Sequence, residues 1–295
     1  MLIISYVGDV ILKIGLALSG GGVRGIAHAG ALKALEENGI NIDIIGGTSA
    51  GSLVGSLYAL GYSPYYIYIL FKRYANELTG INTGAIASGV GNFILNKKVT
   101  VDGLKTGESI EKTYNDLASK KGVKKISQIK MPLIIPTVDV SAEREYVFAS
   151  KVPDEADEGM YITDIDIGKA VRASSSFPVV FSPCRYKEHI FIDGGALDNT
   201  PANEVKKQGA DKVISIKFES DKVNENSNIM DIVMKVIDIM GSKVSEESLN
   251  MSDYILTIPS DGTGLLDTSN IDFCYKSGYN TVMSHIDEIK KVLEE

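Results

Sequence analysis

Short apolar runs alternate along the chain with longer segments whose apolar residues recur every three or four positions. The first run, Ile11–Leu18, closes on a serine and three glycines, the pattern of a buried parallel strand. Arg24–Asn38 carries Ile26, Ala27, Leu32 and Leu35 at helical spacing, with Gly39 as its C-terminal stop. Ile42–Gly47 is a second apolar run, and Ser49–Leu60 a second helix ended by Gly61. Strand, helix, strand, helix with tight junctions predicts a parallel sheet with right-handed crossovers.

Further helices are predicted at Pro64–Glu77, Gly107–Ala118, Ile165–Ser175, Ile229–Met240 and over most of Ile271–Leu293. Strands are predicted at Pro132–Val140, Glu145–Ala149, His189–Ile192, Val213–Phe218 and Tyr254–Ile258. Gly80–Lys98 has no clear period and reads as a loop. There is no internal repeat and no Pro/Ser-rich linker, which favours one domain with a C-terminal closing section.

At 295 residues the chain has ample length for one large α/β core. Its net charge of −8 argues against general nucleic-acid binding, which needs a basic surface. Cys184 and Cys274 show no pairing pattern and read as reduced thiols of a cytoplasmic protein. The apolar N-terminus lacks a positive leading region and is interrupted by Asp9 and Lys13, so it is not expected to be an export signal. No uncharged stretch reaches the ~18 residues of a membrane span.

Gly20-Gly21-Gly22-Val23-Arg24-Gly25 satisfies the dinucleotide fingerprint G-x-G-x-x-G. That reading also needs an acidic residue about 20 positions on, at the end of the second strand. Asp43 instead opens that strand, and no Lys-Ser/Thr follows the glycines to make a P-loop. The second strand ends in Gly47-Thr48-Ser49-Ala50-Gly51, a G-x-S-x-G nucleophile elbow, in which a strained turn exposes the serine at a helix N-terminus. A serine nucleophile needs a base, and the chain has three histidines. His28 lies in the first helix and is expected to pack there, His189 falls in an exposed-looking turn, and His285 sits among charges in the last helix. The better candidate is Asp193, at the end of a short strand and followed by Gly194 and Gly195, although Asp-Gly-Gly alone also reads as a turn. Asp164 and Asp166 precede a helix and read as capping residues. There is no HExxH, EF-hand loop or Cys/His cluster, so no metal or other cofactor is expected.

Gly-Gly-Gly-x-Arg-Gly at 20–25, Gly-x-Ser-x-Gly at 47–51 and Asp-Gly-Gly at 193–195, in this order, resemble the patatin-like phospholipase family. Ala170–Pro178 (AVRASSSFP) and Asp193–Pro201 (DGGALDNTP) match its supporting segments, and the likeness runs from about Ile14 to Gln208. The resemblance implies a three-layer α/β/α sandwich around a mostly parallel sheet. Residues 1–12 would be an N-terminal extension, 13–208 the catalytic domain and 209–295 a section completing it. It implies Ser49 as nucleophile, Asp193 as base and the amides of Gly21, Gly22 and Val23 as an oxyanion hole. Arg24 would fix the glycine loop or, in the sharper reading, hold a substrate phosphate. The implied activity is hydrolysis of a phospholipid, lysophospholipid or other fatty-acyl ester through an acyl-enzyme. A non-hydrolytic lipid-binding protein and an acyltransferase or thioesterase on the same dyad stand as alternatives. Ile81–Leu95 is expected to be a lid over an acyl groove, and the lysines of 119–130 either face solvent or meet an anionic membrane transiently.

Overall fold

The computed structural model describes residues 6–7, 10–79, 105–154, 156–178, 180–220, 229–260, 262–264 and 267–295. The loop expected at 80–98, the lid expected at 81–95 and most of the first nine residues lie outside them. The strands are β1 (Tyr6–Val7), β2 (Val10–Ile11), β3 (Ile14–Leu18), β4 (Ile44–Gly47), β5 (Leu133–Asp139), β6 (Arg144–Ala149), β7 (Tyr161–Ile162), β8 (Cys184–Tyr186), β9 (His189–Asp193), β10 (Lys212–Phe218) and β11 (Tyr254–Ile258). The helices are α1 (Ile26–Glu37), α2 (Ala50–Ala59), α3 (Pro64–Thr79), α4 (Glu108–Lys120), α5 (Ile167–Ser174), α6 (Ala202–Lys207), α7 (Ile229–Val244), α8 (Glu246–Leu249), α9 (Ile271–Ser284) and α10 (Ile286–Glu294).

Period two decides the layering. Leu16 and Leu18 of β3, Ile45 of β4, Leu133 and Ile135 of β5 and Ile214 and Ile216 of β10 join one core with α1, α2 and α9. The residues between them, Ala17, Ile44, Ile134 and Val213, join a second, smaller core with Ala202 and Val205 of α6. Successive side chains of a strand face opposite ways, so a sheet whose strands are apolar throughout must be covered on both faces. The result is the expected three-layer sandwich. Among the described residues no helix is long and apolar enough to cross a membrane.

The sheet runs β11-β10-β3-β4-β5-β6-β7, parallel from β11 to β5, with β6 antiparallel to β5. β9 also pairs with β5, antiparallel, through Thr137↔Asp193, Val138↔Ile192 and Asp139↔Phe191. Because β6 fills one edge of β5 from Ile134 to Asp139, β9 must lie on the other edge, the one β4 uses at Leu133 and Ile134. β4 and β9 therefore run toward each other along the same edge.

Two expectations change in detail, and the structure adds one strand direction. Ile11–Leu18 divides: Ile11 closes the β1–β2 hairpin, and the sheet strand starts at Ile14. The last predicted helix breaks at His285, whose Nδ1 donates to the Thr281 carbonyl at 2.9 Å. The strand leading to Asp193 is antiparallel to its neighbour, a direction that an apolar pattern does not encode.

Phe148 of β6 and Phe191 of β9 meet edge-to-face with ring centroids 5.2 Å apart, both wholly buried. Phe148→Ala is expected to remove about 3–5 kcal/mol of stability, read as a lower urea midpoint, with Phe148→Leu losing less.

Candidate active site

Ser49 turns the chain from β4 into α2 with φ 52° and ψ −118°. Strain of this kind costs on the order of 1–3 kcal/mol and persists only where the surroundings over-determine it. The two flanking glycines are required by contact: a Cβ on Gly47 would run into the Gly51 backbone, and one on Gly51 into the Leu18 carbonyl.

A run of three serines at the end of α5 holds the turn. The Ser49 N–H donates to Ser174 Oγ at 3.0 Å, and Ser175 Oγ donates to the Ser49 carbonyl at 3.3 Å. The Ser176 carbonyl accepts from the Asp193 N–H at 3.0 Å. Three consecutive residues thus bind the serine turn on one side and the end of β9 on the other. Thr48 adds a tie, donating its hydroxyl to the Asp198 carbonyl at 2.8 Å. These serines and Thr48 were within the motif segments, but serines at a helix end look like ordinary turn residues, so their role was not legible.

The glycine loop passes directly against the Ser49 side chain at Gly20. The Gly20 N–H is held by Asn199, to its carbonyl at 3.1 Å and its Oδ1 at 3.2 Å. Gly21, Gly22 and Val23 then open the short turn Gly22–Gly25, and no side chain caps it. Leading amides of such a turn have no partner inside it, which leaves them available to an incoming oxygen. Gly22 has a positive φ of 59°, and Gly25 closes the turn against Ala50 of α2. Arg24 is buried; it donates to the carbonyls of Gly21 (3.3 Å) and Glu219 (3.4 Å) and lies over the Phe218 ring. The geometry therefore supports the loop-fixing reading of Arg24.

Asp193 is buried, with Oδ1 accepting the Gly195 N–H at 2.8 Å. Gly194 packs under it against the Pro136 carbonyl. Burial pushes the carboxyl up to about 6, opposed by the Ser49 hydroxyl and the Gly195 amide. Ser49 is thus close enough to stabilise the charged form, yet Oδ2 makes no completed hydrogen bond. The two side chains are adjacent, and Oδ2 is engaged by no other group among the described residues.

None of the histidines competes for this position. His28 Nε2 donates to the Ser19 carbonyl at 2.8 Å, and burial lowers the ring to about 4, so it is a neutral brace for the glycine loop. His189 is not in an exposed turn: it begins β9, stacks on Phe191 and pairs with the buried Asp139 through Nδ1 at 2.6 Å. Alternation had hidden this, because a two-residue turn, Lys187–Glu188, precedes it. Asp166 does not cap α5; Lys125 takes it at 3.0 Å and Asp164 at 3.3 Å.

Comparison with known proteins fits this geometry. A family model described as patatin-like phospholipase matches residues 16–206. The chain is similar to lysophospholipase NTE1 of Candida albicans, 28% identical over 294 residues that cover 90% of this chain and 19% of that protein. It is also similar to lysophospholipase NTE1 of Debaryomyces hansenii, 32% identical over 208 residues, 70% of this chain and 12% of that one. The chain thus spans less than a fifth of these curated relatives. Among solved structures, human GIVD cytosolic phospholipase A2 superposes with a TM-score of 0.53 at 9% identity, covering 98% of this chain and 61% of that one. At that identity the likeness is one of fold.

Holding Asp193 at about 6 against an ordinary value of 3.8 costs about 3 kcal/mol of stability at neutral pH. The native state retains this proton more tightly than the unfolded chain does. The Asp193 contribution is therefore present at pH 4 and is lost as pH rises through about 6. Asp193→Asn is expected to be more stable than the parent at pH 8, with the difference shrinking toward pH 4 in parallel thermal melts. Glu145 (pushed up to about 8 by burial and by the Asp198 and Glu204 charges) and Asp198 (up to about 7 by burial and Glu204) titrate in both proteins and cancel in that comparison.

Proposed function

The chain belongs to the patatin-like phospholipase family, and on that footing we propose that it is a lipid acyl hydrolase acting on a phospholipid, lysophospholipid or other fatty-acyl ester through Ser49 and Asp193. The observation that carries this reading is the strained Ser49 facing a buried carboxylate beside uncapped glycine amides. Residues 13–208 carry this chemistry, and the section from 209 onward completes the same domain.

In the proposed cycle Asp193 Oδ2 accepts the Ser49 proton as Oγ attacks the ester carbonyl. The carbonyl oxygen becomes an oxyanion and is met by the amides of Gly21, Gly22 and Val23. The tetrahedral intermediate collapses, the alcohol leaves with the proton from Asp193, and Ser49 remains acylated. Water then gives its proton to Asp193 and attacks the acyl group; collapse releases the fatty acid and returns the proton to Ser49. An ordinary aspartate is a weak base for a hydroxyl, and desolvation narrows that gap. At about 6, Asp193 is still mostly ionised at neutral pH, the form the first step needs. A missing oxyanion donor typically costs roughly 2.7–4 kcal/mol of barrier, which is why the bracing of the loop by His28, Arg24 and Asn199 matters.

Two measurements test this. Ser49→Ala and Asp193→Asn are each expected to lose on the order of 10³-fold or more in ester hydrolysis, and a fluorophosphonate probe should label the parent at Ser49 and leave Ser49→Ala unmarked. Undiminished hydrolysis by Asp193→Asn would remove the base assignment. For the parent, kcat/KM should be flat above neutrality and fall with protonation of Asp193 below about pH 6.

A further inference from the structure

We propose that the outward face of α7 (Ile229–Val244) is a docking surface for a lipid bilayer, which sets the Ser49–Asp193 pair against the membrane that carries its ester; this rests on the acyl-hydrolase reading. A surface helix ordinarily turns its bulky apolar residues inward and its small or polar ones outward. At the C-terminal end of α7 the residues that meet the site's loops are small. Gly241 meets the Gly195 carbonyl so closely that a Cβ would overlap it. Ser245, just past the helix, is buried; it donates to the Gly241 carbonyl and accepts the Asn199 N–H, both at 2.7 Å. On the opposite side Ile232, Val236, Ile239, Met240 and Val244 are between 42% and 61% exposed. At 3.6 residues per turn these five share an arc of about 140°. A contiguous apolar row of this kind marks a contact surface.

Location and size identify the occupant. Gly195 supplies the amide that holds Asp193 Oδ1, and Asn199 holds Gly20 of the glycine loop. The helix therefore rests on both loops of the site, and whatever covers its outer face lies about one helix diameter, roughly 10 Å, from the carboxylate. Among the described residues the row is one helix wide, far short of the roughly 20–30 residues per side of a stable protein interface. They suit a helix lying in the head-group layer with its apolar face sunk about 5–10 Å. Lys243 stands within the row, but Glu246 already neutralises it at 2.8 Å. The face thus favours apolar insertion over attraction to anionic lipid. In the lysine-rich stretch 119–130, Lys121 is engaged by the Gly61 carbonyl at 3.0 Å and Lys125 by Asp164 and Asp166.

The test compares the parent chain with a Val236→Gln, Ile239→Gln, Met240→Gln triple variant, glutamine being a good helix former. Co-sedimentation with phosphatidylcholine vesicles is measured at low and high salt. Hydrolysis is measured on a water-soluble butyrate ester and on the corresponding long-chain ester carried in the vesicles. The parent is expected to bind vesicles at both salt concentrations, because apolar insertion is not screened. The variant should partition about tenfold or more weakly, lose vesicle-borne hydrolysis in proportion, and keep the butyrate rate. Equal vesicle binding by parent and variant overturns the proposal, as does a parent dimer that the variant dissociates without change in vesicle binding. Equal loss on both esters also overturns it, since the face would then serve the chemistry directly. Weakened vesicle binding by the variant, with no ester cleaved by the parent, would uphold the docking surface and remove the hydrolase reading.

Discussion

Two strands meet end to end along one edge of β5, and the site depends on that meeting. β4 pairs with the first two residues of β5 and β9 with the last three, in opposite directions. Each strand stops where the other would begin. Ser49 follows β4 and Asp193 ends β9, so hydrogen bonding within the sheet brings their backbones together before any side chain is considered. A wholly parallel sheet would put both strands on separate edges and open a gap between the two groups.

Closeness of this kind leaves little room, and the chain answers with backbone ties rather than bulky packing. Ser174, Ser175 and Ser176 satisfy the turn at Ser49 and the end of β9 at once. Asn199 and His28 do the same for the glycine loop, one at Gly20 and one at Ser19. Each tie answers a buried polar group that would otherwise go unpaired, and each also fixes Ser49, Asp193 or the glycine loop, the groups that the proposed reaction uses. Stability and preorganisation therefore come from the same hydrogen bonds.

Asp193 is the exception, because its environment works against its charge. A buried carboxylate with one oxygen unpaired destabilises the native state. The same desolvation makes it a stronger base, which is what the proposed proton transfer needs from an acid that is ordinarily weak in that role. The surrounding fold offsets the cost with two cores, one on each face of the sheet. α7 carries the site's surroundings to the surface: Gly241 packs on the Gly195 carbonyl, while Ile232, Val236, Ile239, Met240 and Val244 face outward.

Local chemistry made much of this legible in one dimension. The apolar runs marked β3, β4, β5, β10 and β11, and apolar spacing with glycine stops marked α1 and α2. Gly47 and Gly51 around Ser49 announced a strained turn, because only glycine lets a chain pass that close. Those features depend on neighbours a few residues away. The direction of β9, the pairing of His189 with the buried Asp139, the pairing of Asp166 with Lys125 and the bracing by Ser174–Ser176 and Asn199 depend on partners distant in the chain. A hydroxyl or amide looks the same in sequence whether it faces water or holds a reacting group. Only the tertiary structure decided which, since burial and pairing are properties of the assembled sheet and not of the residue.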